Sequence, residues 1–181
     1  MISDWDVHRV PVIDGSGELV SLLSQSRITQ FLSQHMLKFP IVNKSIGELS
    51  LGLRPHIICV KATDLTVSAF HAMRKNRVSG VGVVDDSGAL IGVLSVTDLR
   101  SVGYDDQLFR RLYTTVGDFI ATAQNANAAK PRTVITVKLN NSVAQVFELF
   151  NKYGIHRLYV VDAENRPIGV ISLGDLLKLF A

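Results

Sequence analysis

Two serine–aspartate pairs recur at one spacing, Ser95-x-x-Asp98 and Ser172-x-x-Asp175, each after an apolar run that reads as a strand. An ionised aspartate in the first turn of a helix is an acceptor fixed by its backbone, so it could take hydrogen bonds from two neighbouring hydroxyls. The same position also suits a helix cap or a partner for the helix dipole. Ser95 and Ser172 interrupt the apolar runs where strand passes to helix, placed to reach an anion or to bond the backbone. At the corresponding place near the N-terminus stands Ser24-x-x-Arg27, a cation where the others carry a carboxylate.

Basic groups cluster one strand earlier. His8-Arg9 and His156-Arg157 open apolar segments, and Arg77 with Ser79 occupies the matching stretch between them. Arginine can fork onto phosphate oxygens where histidine offers a single donor. An exposed strand edge is the plainer reading of the same residues. Thr63 sits where a strand turns into a helix, and its hydroxyl either meets a ligand or caps that helix.

The elements that must hold these residues are written three times. Arg157–Asp162, a turn, Ile168–Ser172 and a short helix form the last copy; Gly80–Val84, Asp85-Asp86-Ser87-Gly88, Leu90–Leu94 and a helix from Thr97 form the middle one. Arg9–Ile13, Gly15-Ser16-Gly17 and Leu19–Leu23, with Ser24 or Ser26 opening a helix, form the first. Ahead of the two later copies runs a further strand and amphipathic helix, Ile57–Val60 with Val67, Phe70 and Met73, and Val134–Val137 with Val146, Phe147 and Phe150. The first copy lacks them, which points to a chain cut from a longer repeat protein. The expected division is 1–36 as the second half of a truncated repeat, 37–55 a connector, 56–103 a complete repeat, 104–131 a linker helix and loop, and 132–181 a complete repeat. Asp105–Gln124 reads as one linking helix, with Leu108, Leu112, Val116, Phe119 and Ile120 on one side.

Composition narrows the function classes. Of 181 residues 47% are hydrophobic and 19% charged, enough for a packed core and unlike a disordered chain. A net charge of +3 with no basic run argues against nucleic acid as a partner. The single cysteine, Cys59, excludes an internal disulfide framework and a thiolate metal cluster, and its apolar neighbours suit a buried, inert thiol. No apolar stretch nears the ~20 residues that cross a bilayer, and no signal peptide is evident, so an intracellular location, cytoplasmic or nuclear, is expected. No phosphate loop, nucleophile–histidine–acid set or metal cluster stands out, and no enzymatic activity is expected.

The strand-helix-strand-strand-helix repeat, about fifty residues long and ending in Ser-x-x-Asp, resembles the CBS domain. That resemblance implies an α/β (α+β) fold of tandem CBS domains packed as a Bateman module, preceded by half of another repeat. More narrowly, His156-Arg157-Leu158-Tyr159-Val160-Val161-Asp162 with Ser172-x-x-Asp175 looks like the gamma regulatory subunit of AMP-activated/SNF1 protein kinase. The order Arg27, Asp98, Asp175 follows that subunit's second to fourth repeats, and Ser45-Ile46-Gly47-Glu48-Leu49 fits the junction between its second and third. Asn76 and Val96 depart from it, standing where the gamma subunit has a His and a Lys.

The resemblance implies a regulatory ligand, AMP, ADP or ATP. Asp98 and Asp175 would meet the ribose. Ser95, Ser172, His156, Arg157, Arg77 and Ser79 would serve the phosphates, and Thr63 the adenine. His8, Arg9 and Arg27 would face a phosphate cluster shared with a second module. The implied partners are protein kinase catalytic and scaffold subunits, with a homodimer of modules as a further expectation. Two other readings remain open, a ligand-free scaffold and a regulatory module of another enzyme or transporter.

Overall fold

A computed structural model describes residues 9–102, 107–126 and 134–180. Valine, isoleucine and leucine dominate three hairpins: Arg9–Ile13 (β1) with Leu19–Ser24 (β2), Gly80–Val84 (β4) with Leu90–Ser95 (β5), and Arg157–Val161 (β7) with Pro167–Ser172 (β8). An aspartate closes each turn. Asp14 Oδ1 accepts from Ser16 N and Oγ, Asp85 Oδ1 from Ser87 N and Oγ, and Asp162 Oδ1 from Arg166 N. The left-handed corner falls to Gly17, Gly88 and Asn165, asparagine being the usual substitute for glycine there.

Each complete copy adds a strand parallel to the first hairpin strand. Cys59–Lys61 (β3) pairs with β4, and Thr136–Val137 (β6) pairs with β7, giving the orders β3-β4-β5 and β6-β7-β8. The crossovers carry the helices Thr66–Lys75 (α3) and Val143–Tyr153 (α6). After the hairpins come Gln25–Gln34 (α1), the 3₁₀ turn Val96–Val102 and Leu173–Lys178 (α7). The strand-helix-strand-strand-helix order expected from the sequence is present twice.

The stretch read as one linking helix is two, Gln107–Leu112 (α4) and Val116–Ala126 (α5); Asp105 and Asp106 lie outside the described residues. The break is a cap that a helical apolar stripe hides. Thr115 Oγ1 donates to Asp118 Oδ2 at 2.7 Å and accepts from Asp118 N at 3.1 Å, the side-chain half of a capping box.

The chain divides into two units, and they do not follow the repeats. Of the described residues, one unit combines those within 1–54, 135–160 and 169–180, and the other those within 55–134 and 161–168. In the first unit the short helix Ile46–Leu49 (α2) docks on the turn ahead of α6, Ile46 N donating to Asn141 O at 2.9 Å and Gly47 N to Leu139 O at 2.8 Å. In the second, α5 docks on the turn ahead of α3 through Val116 N to Asp64 O and Gly117 N to Ala62 O, both at 2.9 Å. The two docking sequences are Ser45-Ile46-Gly47-Glu48 and Thr115-Val116-Gly117-Asp118. A Cβ at position 47 would stand 3.2 Å from Leu139 O, tighter than an ordinary contact, whereas one at 117 would stand 3.4 Å from Ala62 O, an ordinary van der Waals distance.

Burial follows the same grouping. In the second unit Val60, Ala69, Met73, Val81, Val83 and Leu94 form a core with Val116 and Phe119 of α5. In the first, α6 buries Val143, Val146, Phe147 and Phe150, and Phe180 meets Phe147 and Phe39 edge-on at 5.6 and 5.0 Å. The β1–β2 hairpin differs: Ile13, Leu19 and Val20 are more than 60% exposed, whereas Val81 and Val83 on β4 are at most 1% exposed.

Candidate functional site

The carboxylate of Asp175 is fixed before any ligand is considered. Ser172 is the N-cap of α7, and its N–H and hydroxyl donate to Asp175 Oδ2 at 2.8 and 2.6 Å, while Asp175 N donates back to Ser172 Oγ at 3.2 Å. A capping box of this kind consumes one oxygen and leaves Oδ1 for another donor. That donor is Arg54, whose Nη2 lies 3.1 Å from Oδ1. Asp175 is 17% exposed at its side chain and Arg54 56%, so a largely buried acceptor is met by a guanidinium from solvent.

The middle copy repeats the first half of this arrangement. Ser95 N and Oγ donate to Asp98 Oδ2 at 2.7 and 2.9 Å, Thr97 Oγ1 lies 2.7 Å from Ser95 Oγ, and Asp98 is 3% exposed. In the first copy Arg27 N donates to Ser24 Oγ at 3.3 Å, so Ser24 is the cap and Ser26 is not. The cap reading of the Ser-x-x-Asp motif is thus present in both complete copies. The cap is made with Oδ2, and the cap is what holds Oδ1 in place.

The basic residues separate along the strands. Arg9 opens β1 directly opposite Ser24, and Gly80 opens β4 directly opposite Ser95. Counting back from Asp85 and Asp162, Gly80 corresponds to Arg157 and Ser79 to His156. Arg77 corresponds instead to Gly154; both follow a helix end with positive φ, 53° and 60°. The pairing of Arg77 with the His156-Arg157 stretch is thus three residues out of register, because Arg77 belongs to the αL cap of α3 and not to β4. Arg77, Ser79 and His156 are exposed, and Arg157 is half-buried at the start of β7.

His156 lines a depression of about 250 Å³ with Ser26, Thr29 and Gln30 of α1, Phe150 and Asn151 of α6, and Leu173 of α7. Arg9 and Arg27 are exposed in the first copy, and neither lines this depression. His8 lies outside the described residues. Thr63 is exposed in the β3–α3 turn and does not cap α3. The turn is instead closed by Asp64 Oδ2, which accepts from Lys61 N, and the N-terminal N–H of Thr66 is satisfied by Thr114 O.

Sequence reasoning missed Arg54. Its partner lies 121 residues away, and its position depends on Gly52. Gly52 has φ +72°, its carbonyl accepts from Val170 N at 2.9 Å, and Leu53 bridges to Gly169, which lays this segment along β8. The only signal in the sequence is the Gly52-x-Arg54 spacing beyond the Ile46, Leu49, Leu51 pattern. Among the described residues no group of three His, Cys, Asp or Glu side chains could hold a metal ion.

The CBS domain model matches residues 46–105 and 131–181, more than half of the chain. This chain belongs to the CBS-domain family. It is 27% identical over 180 residues to the 5'-AMP-activated protein kinase subunit gamma of Saccharomyces cerevisiae, covering 94% of this chain and 53% of that protein. It is 26% identical to the human gamma-3 subunit, covering 95% and 35%, and 28% identical to Protein SDS23 of Eremothecium gossypii, covering 86% and 36%. The chain thus spans about half or less of the curated relatives it matches. Among solved structures, an uncharacterised Pyrococcus horikoshii protein superposes with a TM-score of 0.75 at 24% identity, over 99% of this chain and 72% of that one. The CBSX2 protein in complex with AMP superposes with a TM-score of 0.58 at 23% identity, over 75% and 95%. These likenesses establish the tandem CBS fold.

Proposed function

We propose that this CBS chain is a regulatory, non-catalytic module that binds an adenine nucleotide, with Asp175 as its ribose acceptor. The observation that carries the reading is the fixed carboxylate: Ser172 holds Oδ2 at the start of α7, and Oδ1 is met by the exposed guanidinium of Arg54. A preorganised carboxylate oxygen with two lone pairs suits the two hydroxyls of a vicinal diol. Likeness to two gamma subunits over more than nine-tenths of the chain, and the AMP bound to CBSX2, support the ligand class. Ser172, His156 and Arg157 complete this set. Asp98, Ser95, Ser79, Arg77 and Thr63 are the candidates of the middle copy, Arg77 by residue type and not by register, and Arg9, Arg27 and His8 are those of the first.

AMP, ADP and ATP would compete for one site and differ in how far their phosphates neutralise Arg157 and its neighbours. A partner that reads the resulting population shift is thereby regulated. The proposed repeat boundaries are those expected from the sequence, the proposed partners are kinase catalytic and scaffold subunits, and the proposed location is intracellular. Calorimetry with AMP, ADP and ATP tests the reading. Binding that Asp175→Ala abolishes supports it, and absence of heat with all three nucleotides overturns it.

The Arg54–Asp175 contact favours a second reading, a scaffold whose pocket stays empty. That reading expects capture of kinase subunits to be indifferent to added nucleotide.

A further inference from the structure

We infer that Arg54 sets the affinity of the Asp175 site, as a competitor that a ribosyl ligand must displace from Oδ1. This rests on the proposed role of Asp175. Asp175 Oδ2 already accepts two hydrogen bonds from Ser172, at 2.8 and 2.6 Å, so a diol has to use Oδ1. Arg54 Nη2 donates to that same oxygen at 3.1 Å.

The contact is built rather than incidental. The Gly52 carbonyl receives the Val170 N–H, and Leu53 pairs with Gly169 one residue before Arg54. A Cβ at Gly52 would stand 2.5 Å from Ile171 Cγ1 and 2.7 Å from Val170 O, and one at Gly169 would stand 2.8 Å from Gly52 O. Two facing glycines therefore let the segment lie against β8, and that approach delivers the guanidinium to the start of α7.

The guanidinium itself remains 56% exposed, which sets the size of the effect. An exposed ion pair contributes up to ~1 kcal/mol and is screened by salt, so its removal shifts a competing equilibrium by at most roughly fivefold. The penalty falls on the ribose and is independent of phosphate number. Its clearest reporter is adenosine, which has the diol and no charge.

The test is titration of adenosine and AMP into the purified chain, Arg54→Ala, Arg54→Gln and Asp175→Ala, at low and high ionic strength. Arg54→Ala is expected to tighten both ligands up to about fivefold, and high salt is expected to tighten adenosine on the unsubstituted chain but not on Arg54→Ala. Detectable adenosine binding in Arg54→Ala alone also supports the inference. Unchanged or weaker binding in Arg54→Ala, with Asp175→Ala still abolishing it, overturns the role of Arg54 and leaves the site standing. Binding that survives Asp175→Ala unchanged, or no binding to any variant, overturns both.

Discussion

Gly52→Ala tests whether the segment leading to Arg54 is held by backbone geometry or merely rests on β8. Three costs add at this position. A side chain at φ +72° pays for the left-handed region, about 1–2 kcal/mol. The new Cβ would also meet Ile171 Cγ1 at 2.5 Å and Val170 O at 2.7 Å, distances that require the backbone to move. Overpacking of this kind costs about 1–3 kcal/mol, and losing the hydrogen bond from Val170 N to Gly52 O costs about 0.5–1.5 kcal/mol more. The expected loss of stability is therefore about 2.5–6.5 kcal/mol.

Gly154→Ala is the matched control. It has φ +60°, and a Cβ there meets nothing within 4 Å, so only the left-handed cost of about 1–2 kcal/mol applies. Urea unfolding followed by far-ultraviolet circular dichroism compares the two midpoints at constant slope. If Gly52→Ala proves no more destabilising than Gly154→Ala, the close approach to β8 is not a constraint, and the placement of Arg54 loses its structural basis.

Other consequences follow from single groups. Thr115→Ala removes the cap between α4 and α5 and is expected to cost about 1 kcal/mol in the same unfolding assay, with Thr115→Ser retaining most of it. The Ser87 hydroxyl, with backbone N–H groups of the turn, holds the Asp85 carboxyl below its ordinary value, and Ser16 does the same for Asp14. A depressed folded-state value stabilises above the unfolded value and is lost as pH falls through the folded one. The stability difference between the chain and Asp85→Ala should thus be full at neutral pH and disappear in acid; a difference that persists in strong acid contradicts the assignment. Burial raises the Cys59 thiol above its usual value, so alkylation at neutral pH should run far slower than in the urea-unfolded chain.

The sequence carried the strands, the hairpin turns and the crossover helices because each is signalled locally. Alternating or continuous β-branched runs bounded by Asp and Gly suffice for β4–β5 and β7–β8, and Ser142 with Gly154 brackets α6. Asp175, Asp98 and their serines were legible for the same reason, since the Ser-x-x-Asp spacing is itself the cap. Two failures share a cause. The α4–α5 break was hidden because Leu112, Val116, Phe119 and Ile120 keep a helical period across it, and only the Thr115–Asp118 reciprocity marks the stop. Arg77 matches Arg157 by residue type, although its backbone places it on the helix cap at the position that corresponds to Gly154. Arg54 could not be found locally, since its partner is set by long-range pairing along β8.

The exchange of leading helices explains why repeats in the sequence and units in space differ. α2 leads the middle copy in the sequence, yet its N–H groups bond the turn at Leu139 and Asn141 of the last copy. α5 leads the last copy, yet it bonds the turn at Ala62 and Asp64 of the middle one. The reciprocity has a physical basis in satisfied backbone groups: the orphan N–H groups at the start of α2 and α5 find carbonyls of the strand-to-helix turns, and Val143 N and Thr66 N find Lys44 O and Thr114 O in return. A complete copy severed from its partner would leave those groups, and Val116 with Phe119 or Ile46, without their buried environment. The same crossing carries Gly52 and Arg54, which follow α2, to β8 and Asp175. The placement of the residue facing the candidate ribose acceptor is thus a consequence of the exchange, and it would be lost in any single repeat taken alone.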